Sequence, residues 1–199
     1  MDNLTLPRKA RRLAKELLKQ AIENEPQITA DLQNIAWEIS GEAVGLENKF
    51  KAEMSLVRKL IDAVGDDLQR LQRKSKNIND VLRYTFVLSV DEYAKGFQQT
   101  IERLPKLGYR VPENRIWNAW ENIGTQYDKG YRGINMTIIS SQQQKFELQF
   151  HTEASFELKT ETHHFYKEMR SKNISGKRET ELTAIMLELA GKIERPDGV

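Results

Sequence analysis

The stretch KFELQFHTEASFELKTETHHFYKEMR, residues 145–170, decides the fold of this chain because it predicts a strand that runs directly into a helix. Residues 145–152 alternate between apolar and polar side chains, which is the period of a β-strand. The alternation gives an apolar face with Phe146, Leu148 and Phe150, and a polar face with Glu147, Gln149 and His151. Such a polar row faces either water, as in a half-exposed edge strand, or a site, and we favour the site.

The preceding segments supply partners for this strand. Residues 81–90 and 134–139 are rich in β-branched and aromatic residues and predict two more strands. The polar connection SSQQQ at 140–144 predicts a hairpin, so that residues 134–139 pair antiparallel with the strand at 145–152. Between these strands, Asp91 is expected to cap a helix that ends near Pro105, and the aromatic residues of 109–133 indicate a strand or a loop.

Helical periodicity dominates both ends of the chain. It predicts helices at 8–24, which Pro26 would end, from Thr29 to Gly45, at 46–62, at 153–170 and at 179–193. The polar, charge-rich segment 65–79 is expected to be a helix end followed by a loop. We therefore expect an α/β (α+β) fold in which helices flank a mixed sheet of about four to five strands. Residues 1–45 would form an N-terminal helical extension, and residues 46–199 the main domain.

Composition excludes several classes of protein. With 199 residues, 39% of them hydrophobic and 30% charged, the chain is expected to form one globular unit without membrane association. The absence of cysteine excludes disulfides, thiolate catalysis and cysteine-based zinc sites. Because the net charge is only +2, any nucleic-acid contact must come from a local cluster such as the six cations of residues 8–19, for which a solvated helix face is the alternative.

Three groups of residues suggest a nucleotide site. Lys51, Ser55 and Lys59 are spaced four residues apart, which on a helix places them on one face that would fit a polyphosphate, or that is simply solvated. Asp80 stands at the start of the first predicted strand, as a site residue or a turn cap, and Glu147 lies on the last. Two carboxylates on neighbouring strands repel each other unless a cation lies between them, and Mg²⁺ bridging to phosphate oxygens is the usual solution.

Four segments, in chain order, carry a resemblance to a known family: GLENKFKAEMSLVRKLID, NDVLRYTFVLS, YDKGYRGINMTI and FELQFHTEASFELKTETHHFYKEMR. Residues 45–170 resemble the synthetase domain of the RelA/SpoT family, and most closely its small toxic or effector-borne members. The resemblance implies a RelA/SpoT-type synthetase fold, and an enzyme that transfers pyrophosphate from ATP to a hydroxyl of an acceptor nucleotide and releases AMP.

The resemblance also implies roles for individual residues. Those that fall where the family grips the ATP phosphates are Lys49, Lys51, Ser55 and Lys59. Asp80 and Glu147 fall on the catalytic carboxylates that bind Mg²⁺, and Glu147 would also help to deprotonate the attacking hydroxyl. The acceptor would be bound by Tyr131, which falls on a base-stacking tyrosine, and by Asn135, Gln149 and His151.

The chain departs from the family at several of these positions. Asn135 stands where the family commonly has a histidine, and His151 and Lys49 stand where it commonly has an arginine. The arginine that the family carries on this strand would fall at Thr85. In this chain an arginine stands two residues earlier, at Arg83. Members of the toxic branch differ in acceptor, so the resemblance leaves open a guanosine nucleotide, an adenosine nucleotide or the 3′ end of tRNA. A catalytically inactive module that binds a nucleotide or a partner is the alternative from another class.

The resemblance further implies the setting in which the chain acts. Its partners would be ATP, the acceptor, and a cognate antitoxin or immunity protein. The site of action would be cytoplasmic, with delivery as part of a larger secreted effector as one route.

Overall fold

A mixed five-stranded sheet organises the chain in the computed structural model, which describes residues 5–62, 67–170 and 174–199. Within these residues the strands are β1 (Glu42–Val44), β2 (Arg83–Leu88), β3 (Ile116–Asn118), β4 (Ile134–Ile139) and β5 (Lys145–Thr152). The helices are α1 (Leu6–Glu38), α2 (Glu53–Asp62), α3 (Leu68–Asn77), α4 (Tyr93–Lys106), α5 (Glu153–Glu161), α6 (His163–Met169) and α7 (Gly176–Ala190). None of the helices in the described residues combines the length and apolar character that a membrane span requires.

The order of the strands places β5 in the middle of the sheet. The spatial order is β1-β2-β5-β4-β3, in which β2 runs parallel to β5 and all other neighbours are antiparallel. The prediction of a mixed sheet of four to five strands is confirmed, as is the antiparallel pairing of residues 134–139 with 145–152. The register of β2 and β5 places Arg83 opposite Glu147 and Thr85 opposite Gln149, so polar side chains of two strands share one face.

The other face of the sheet is the hydrophobic core. The side chains of Phe146, Leu148 and Phe150 are fully buried there, and Phe86 of β2 packs edge to face on Phe150, with 5.5 Å between ring centroids. Helices α1 and α4 cover this face, and α5 lies on the polar side of β5. The predicted alternation of apolar and polar faces in β5 is therefore confirmed.

The N-terminal segment differs from the prediction of two helices separated at Pro26. Helix α1 runs for 33 residues from Leu6 through Pro26. Proline removes one backbone hydrogen bond, but Pro26 lies on the exposed side of the helix, where water can bond to the carbonyl left without a partner. Ala21 and Ile28, on either side of it, are buried in the core. Packing of the inner face therefore outweighs the local effect of the proline.

The prediction that a helix extends to Gly45 is also wrong. The chain turns after α1, with Ser40 at a positive φ of 55°, and residues 42–44 form the edge strand β1, antiparallel to β2. Only 3 residues long, this strand gave no alternating pattern that could compete with the helical periodicity before it.

The single helix predicted for residues 46–62 is wrong as well. A short 3-10 turn at Leu46–Asn48 precedes an extended segment, and α2 begins only at Glu53. The backbone N–H of Lys51 donates to the carbonyl of Val81 at 2.9 Å, and the N–H of Arg83 donates to the carbonyl of Lys49 at 2.8 Å. Residues 49–51 therefore continue the sheet beside the start of β2 instead of joining the helix.

Three smaller predictions differ from the structure. Residues 68–77, predicted as part of a helix end and loop, form α3, whose N-cap Asp67 accepts hydrogen bonds from two backbone N–H groups. Residues 65–66 of the predicted segment lie outside the described residues. The N-cap of α4 is Glu92, not Asp91, and it makes no side-chain capping bond. The helix predicted for 153–170 breaks at Thr162, whose hydroxyl donates to the carbonyl of Leu158 at 2.7 Å.

Candidate active site

Asp80 gathers three cations at the entry to β2. Its carboxylate is 6% exposed and accepts hydrogen bonds from the ammonium groups of Lys51 at 3.0 Å and Lys59 at 2.7 Å. A guanidinium nitrogen of Arg83 lies 3.4 Å from the same carboxylate. The structure therefore brings Lys51 and Lys59, which were predicted to bind the ATP phosphates, to Asp80, which was predicted to bind Mg²⁺. Lys51 belongs to the extended segment, however, and not to a helix. We call Lys51, Lys59, Asp80 and Arg83 the donor cluster.

The charge state of Asp80 is set by this cluster. Burial alone would raise the pKa of the carboxyl group, but the hydrogen bond from Lys59 and the positive charges of Lys51 and Lys59 outweigh it and lower the pKa to about 2. The carboxylate is therefore fully ionised at neutral pH, and the two lysines are held with their ammonium groups converging on one point.

The other two residues predicted to grip the ATP phosphates lie nearby but do not touch Asp80. Ser55 is half-buried in the first turn of α2. Lys49 forms an ion pair at 3.0 Å with Glu25 of α1, and its ammonium lies 5.9 Å from the centre of the Phe50 ring. A phosphate could reach the Lys49 ammonium only in competition with Glu25.

Glu147 stands opposite Arg83 in the register of β2 and β5 and is the second carboxylate of the site. Its side-chain oxygen lies 3.6 Å from Nε of Arg83, and it accepts a hydrogen bond from the side-chain amide of Gln149. Arg83 therefore reaches both Asp80 and Glu147, and its guanidinium lies where the sequence predicted that a cation would relieve the repulsion of the two carboxylates.

The two carboxylates fit Mg²⁺ in their chemistry. Among residues 5–62, 67–170 and 174–199, no three His, Asp or Glu side chains converge as a metal cage. Mg²⁺ does not need one, because it is usually held by one or two carboxylates together with substrate phosphates and water. Asp80 and Glu147 would hold it here, with Arg83 giving up its place between them.

Gln149 links Glu147 to a lysine that the sequence analysis did not identify. The side-chain oxygen of Gln149 accepts a hydrogen bond at 2.6 Å from the ammonium of Lys159, which extends from α5 across the polar face of β5. Thr85 of β2 lies beside the same oxygen, at 3.5 Å. Gln149, predicted to contact the acceptor, thus lies between Glu147 and Lys159.

The predicted acceptor residues form a neutral network in which His151 is buried and Tyr131 and Asn135 are half-buried. The hydroxyl of Tyr131 donates to the side-chain oxygen of Asn135 at 2.6 Å and lies 2.9 Å from Nε2 of His151. The other ring nitrogen of His151 lies 3.0 Å from the hydroxyl of Ser155. Burial, followed by the nearby charge of Lys159, lowers the pKa of His151 well below its ordinary value, so the imidazole is neutral at physiological pH.

The ring of Tyr131 is covered by Trp117 of the edge strand β3. The two rings stack with 5.3 Å between centroids and an interplanar angle of 19°. That spacing leaves no room for a base between the rings. Trp117 remains 48% exposed, whereas Trp120 is fully buried. The aromatic surface that a base can reach at this end of the site therefore belongs to Trp117.

A buried ion pair fixes the loop that carries Tyr131. The guanidinium of Arg132 donates to both oxygens of Asp128, at 2.9 and 3.2 Å, and Asp128 also accepts from the backbone N–H of Gly130 at 2.9 Å. The backbone at Gly133 passes so close to β5 that a Cβ there would lie 2.9 Å from the ring of His151. This contact explains a glycine at that position.

The sequence analysis did not assign five residues to the site: Arg83, Lys159, Trp117, and the ion pair of Asp128 with Arg132. The period of two along β2 could have identified Arg83, since it shares the face of Thr85. No local pattern points to Lys159, because its place depends on how α5 packs on β5.

Comparison with solved structures gives the fold a precedent. The chain superposes on small alarmone synthetase 2 from Bacillus subtilis with a TM-score of 0.59 and 17% identity, covering 89% of this chain and 90% of that one. For small alarmone synthetase 1 from the same organism, bound to its product pppGpp, the TM-score is 0.56 with 17% identity over 88% of each chain. The fold is that of the alarmone synthetases. The predicted RelA/SpoT-type fold is confirmed.

A third match is an effector. The Type VI effector Tas1, solved in complex with its immunity protein, superposes with a TM-score of 0.57 and 13% identity, covering 90% of this chain and 96% of that one. No protein-family model and no curated protein sequence matches the chain. The relationship to these proteins is therefore one of fold.

Proposed function

We propose that this chain is a Mg²⁺-dependent pyrophosphokinase that transfers pyrophosphate from ATP to the 3′-hydroxyl of a purine nucleotide. The observation that supports this most directly is the donor cluster beside Glu147 on the fold of the alarmone synthetases. Phosphoryl transfer requires positive groups that hold the phosphates and carboxylates that can bind a metal ion. The converging lysines and the two carboxylates supply both.

The donor cluster explains how ATP would be held. Without a nucleotide, the ammonium groups of Lys51 and Lys59 are paired with Asp80. A polyphosphate offers the same lysines more negative charge, and Ser55 in the first turn of α2 adds a hydroxyl near them. Mg²⁺, when bound, would supply positive charge against the phosphate oxygens, with Asp80 and Glu147 as its protein ligands.

The transfer step then needs positioning and one base. The 3′-hydroxyl oxygen of the acceptor attacks the β-phosphorus of ATP, the bond from that phosphorus to the oxygen bridging to the α-phosphate breaks, and AMP leaves with that oxygen. Glu147 accepts the proton of the hydroxyl, because it is the carboxylate that lies between the donor cluster and the acceptor residues. Because Arg83 and Lys159 are cations, this end of the site remains positive while negative charge develops in the transition state.

The acceptor would bind beside Tyr131, Asn135 and His151. These groups are neutral, with His151 fully buried and Tyr131 and Asn135 half-buried, so they are suited to a base and not to phosphates. A guanosine or an adenosine nucleotide is the acceptor that we propose, giving a product of the (p)ppGpp or (p)ppApp class. From the likeness to Tas1, we further propose a growth-inhibiting effector that acts on cytoplasmic nucleotides and is held in check by an immunity protein.

The test is transfer of label from γ-labelled ATP in the presence of Mg²⁺. GTP or GDP, then ADP or ATP, and then bulk tRNA would be offered as acceptors, with AMP release measured in parallel. We expect a labelled guanosine or adenosine product, and a loss of at least about 100-fold in Glu147→Gln, because a general base contributes factors of that order. Glu102→Gln, at an exposed position on α4, which covers the opposite face of the sheet, is the matched control and should retain full activity.

Two results would contradict the proposal in different ways. Label on the 3′ end of tRNA alone would retain the chemistry but replace the acceptor. ATP binding without transfer to any acceptor would instead identify an inactive nucleotide-binding module.

A further inference from the structure

Lys159 is a cation inside the site that the transfer step described above does not assign to a substrate. Its ammonium donates to the side-chain oxygen of Gln149 at 2.6 Å and lies 5.3 Å from the centre of the Phe156 ring. In the described part of the chain, no ion pair involves Lys159, whereas Lys49, Lys51 and Lys59 each have a carboxylate partner.

The environment of Lys159 disfavours its positive charge. Burial, followed by the charge of Arg83, lowers the pKa of its ammonium to about 8, although the carboxylate of Glu147 acts in the opposite direction. A partly buried ammonium with an amide oxygen as its hydrogen-bond acceptor retains donors and charge that the protein has not neutralised. Such a group is stabilised when an anion enters the site.

The position of Lys159 indicates which anion that is. Gln149, to which it bonds, lies on β5 two residues from Glu147 on one side and two residues from His151 on the other. The donor cluster lies beyond Glu147, and the acceptor network surrounds His151. Lys159 therefore lies at the junction of the two halves of the site, where the group being transferred must pass from donor to acceptor.

We propose that Lys159 is a catalytic residue that contacts the non-bridging oxygens of the transferred pyrophosphoryl group, and that Gln149 holds its ammonium in place. This inference rests on the proposed function. Lys159 keeps its proton throughout: the proton of the attacking hydroxyl goes to Glu147, and the leaving oxygen departs with AMP. Its contribution is electrostatic, in a site where charge is only weakly screened.

Substitution of Lys159 tests the role through its charge. Lys159→Met removes the charge and keeps most of the volume, and it should lower turnover at saturating substrates by about 100- to 1000-fold, the effect of losing one donor to a transition-state charge. Lys159→Arg keeps a cation and should recover most of that loss. Lys177→Met, at an exposed position on α7, is the matched control and should leave turnover unchanged.

Thermal unfolding of each variant separates chemistry from folding. Turnover of Lys159→Met within about threefold of wild type, a small effect for a catalytic contact, would overturn the inference. Equal losses in Lys159→Met and Lys159→Arg, with equal losses in melting temperature, would overturn it too, because they would show a packing role.

Binding of Mg²⁺-pyrophosphate, measured by isothermal titration calorimetry, distinguishes failure of this inference from failure of the proposed function. A wild-type protein that transfers nothing would refute the proposed function, yet this inference would still require weaker pyrophosphate binding in Lys159→Met by about tenfold, the loss of one charge-assisted contact. Equal affinity in the two proteins would refute the role of Lys159 whatever the activity of the wild type.

Discussion

The two halves of the site are built on opposite principles. On the donor side, one carboxylate is surrounded by the charged groups of Lys51, Lys59 and Arg83, and the lysine side chains retain 21% and 28% of their exposure. On the acceptor side, a neutral hydrogen bond joins the half-buried Tyr131 to the fully buried His151. The donor half can exchange its partners for a phosphate, whereas the acceptor half is fixed before the substrate arrives.

This difference suggests how selectivity is divided between the halves. All nucleoside triphosphates carry the same phosphates, so an ion cluster holds the reacting group without distinguishing bases. A rigid, buried set of hydrogen-bonding groups rejects ligands that leave its members unpaired. We expect the acceptor half to set substrate identity, and its rigidity to depend on the ion pair of Asp128 with Arg132.

The largest effect should come from breaking that ion pair. The Arg132 side chain is only 3% exposed, and in Asp128→Ala its guanidinium would remain charged without a counterion. The free energy of unfolding should therefore fall by about 3–5 kcal/mol. Urea unfolding measures this, and Asp91→Ala, at an exposed position, should stay within about 0.5 kcal/mol of wild type. A loss in Asp128→Ala as small as in the control would show that the acceptor half is not more rigidly held than the donor half.

A smaller effect, dependent on pH, should come from the donor half. The pKa of Asp80 is about 2 in the folded chain against an ordinary 3.8, so the ionised carboxyl should contribute about 2 kcal/mol of stability at neutral pH. Because the folded pKa is the lower one, this contribution is complete above about pH 4 and is lost as pH falls towards about 2. Urea unfolding should show that the unfolding free energy of Asp80→Asn lies below that of wild type by the full amount at pH 7, and by less as the pH falls below 4. A difference that does not change with pH would mean that the substitution acts through packing and not through charge.

The sequence was informative about the donor half because its determinants are local. Asp80 stands at the entry to a predicted strand and Glu147 in an alternating one, so each could be identified from its own segment. The pairing of β2 with β5, which places Arg83 opposite Glu147, is a long-range contact that the sequence did not predict. In this half, residues 49–52 were wrongly predicted to be helical. Lys51 in the extended segment and Lys59 in α2 nevertheless both reach the carboxylate of Asp80, because their side chains are long.

The acceptor half could be predicted far less well because its contacts are long-range. Trp117 covers Tyr131 only because β3 pairs with β4, and a strand of 3 residues has too little pattern to be recognised. Similarly, Pro26 indicates a helix end by local rules, and only burial of the residues on either side keeps α1 continuous. Tertiary packing, which a single sequence does not display, decides both.

The smallest effect concerns Trp117, the exposed ring that covers Tyr131. Aromatic pairs contribute about 0.5–1.5 kcal/mol beyond their buried area, so the stacked rings of Trp117 and Tyr131 should show a coupling of that size in a double-mutant cycle of Trp117→Ala and Tyr131→Ala, measured by urea unfolding. The pair of Trp37→Ala with Tyr131→Ala is the control and should show no coupling, because Trp37 is 82% exposed and belongs to α1. Coupling near zero for Trp117 would mean that this ring moves away from Tyr131 in solution, which would leave the acceptor half open to a base at Tyr131 itself.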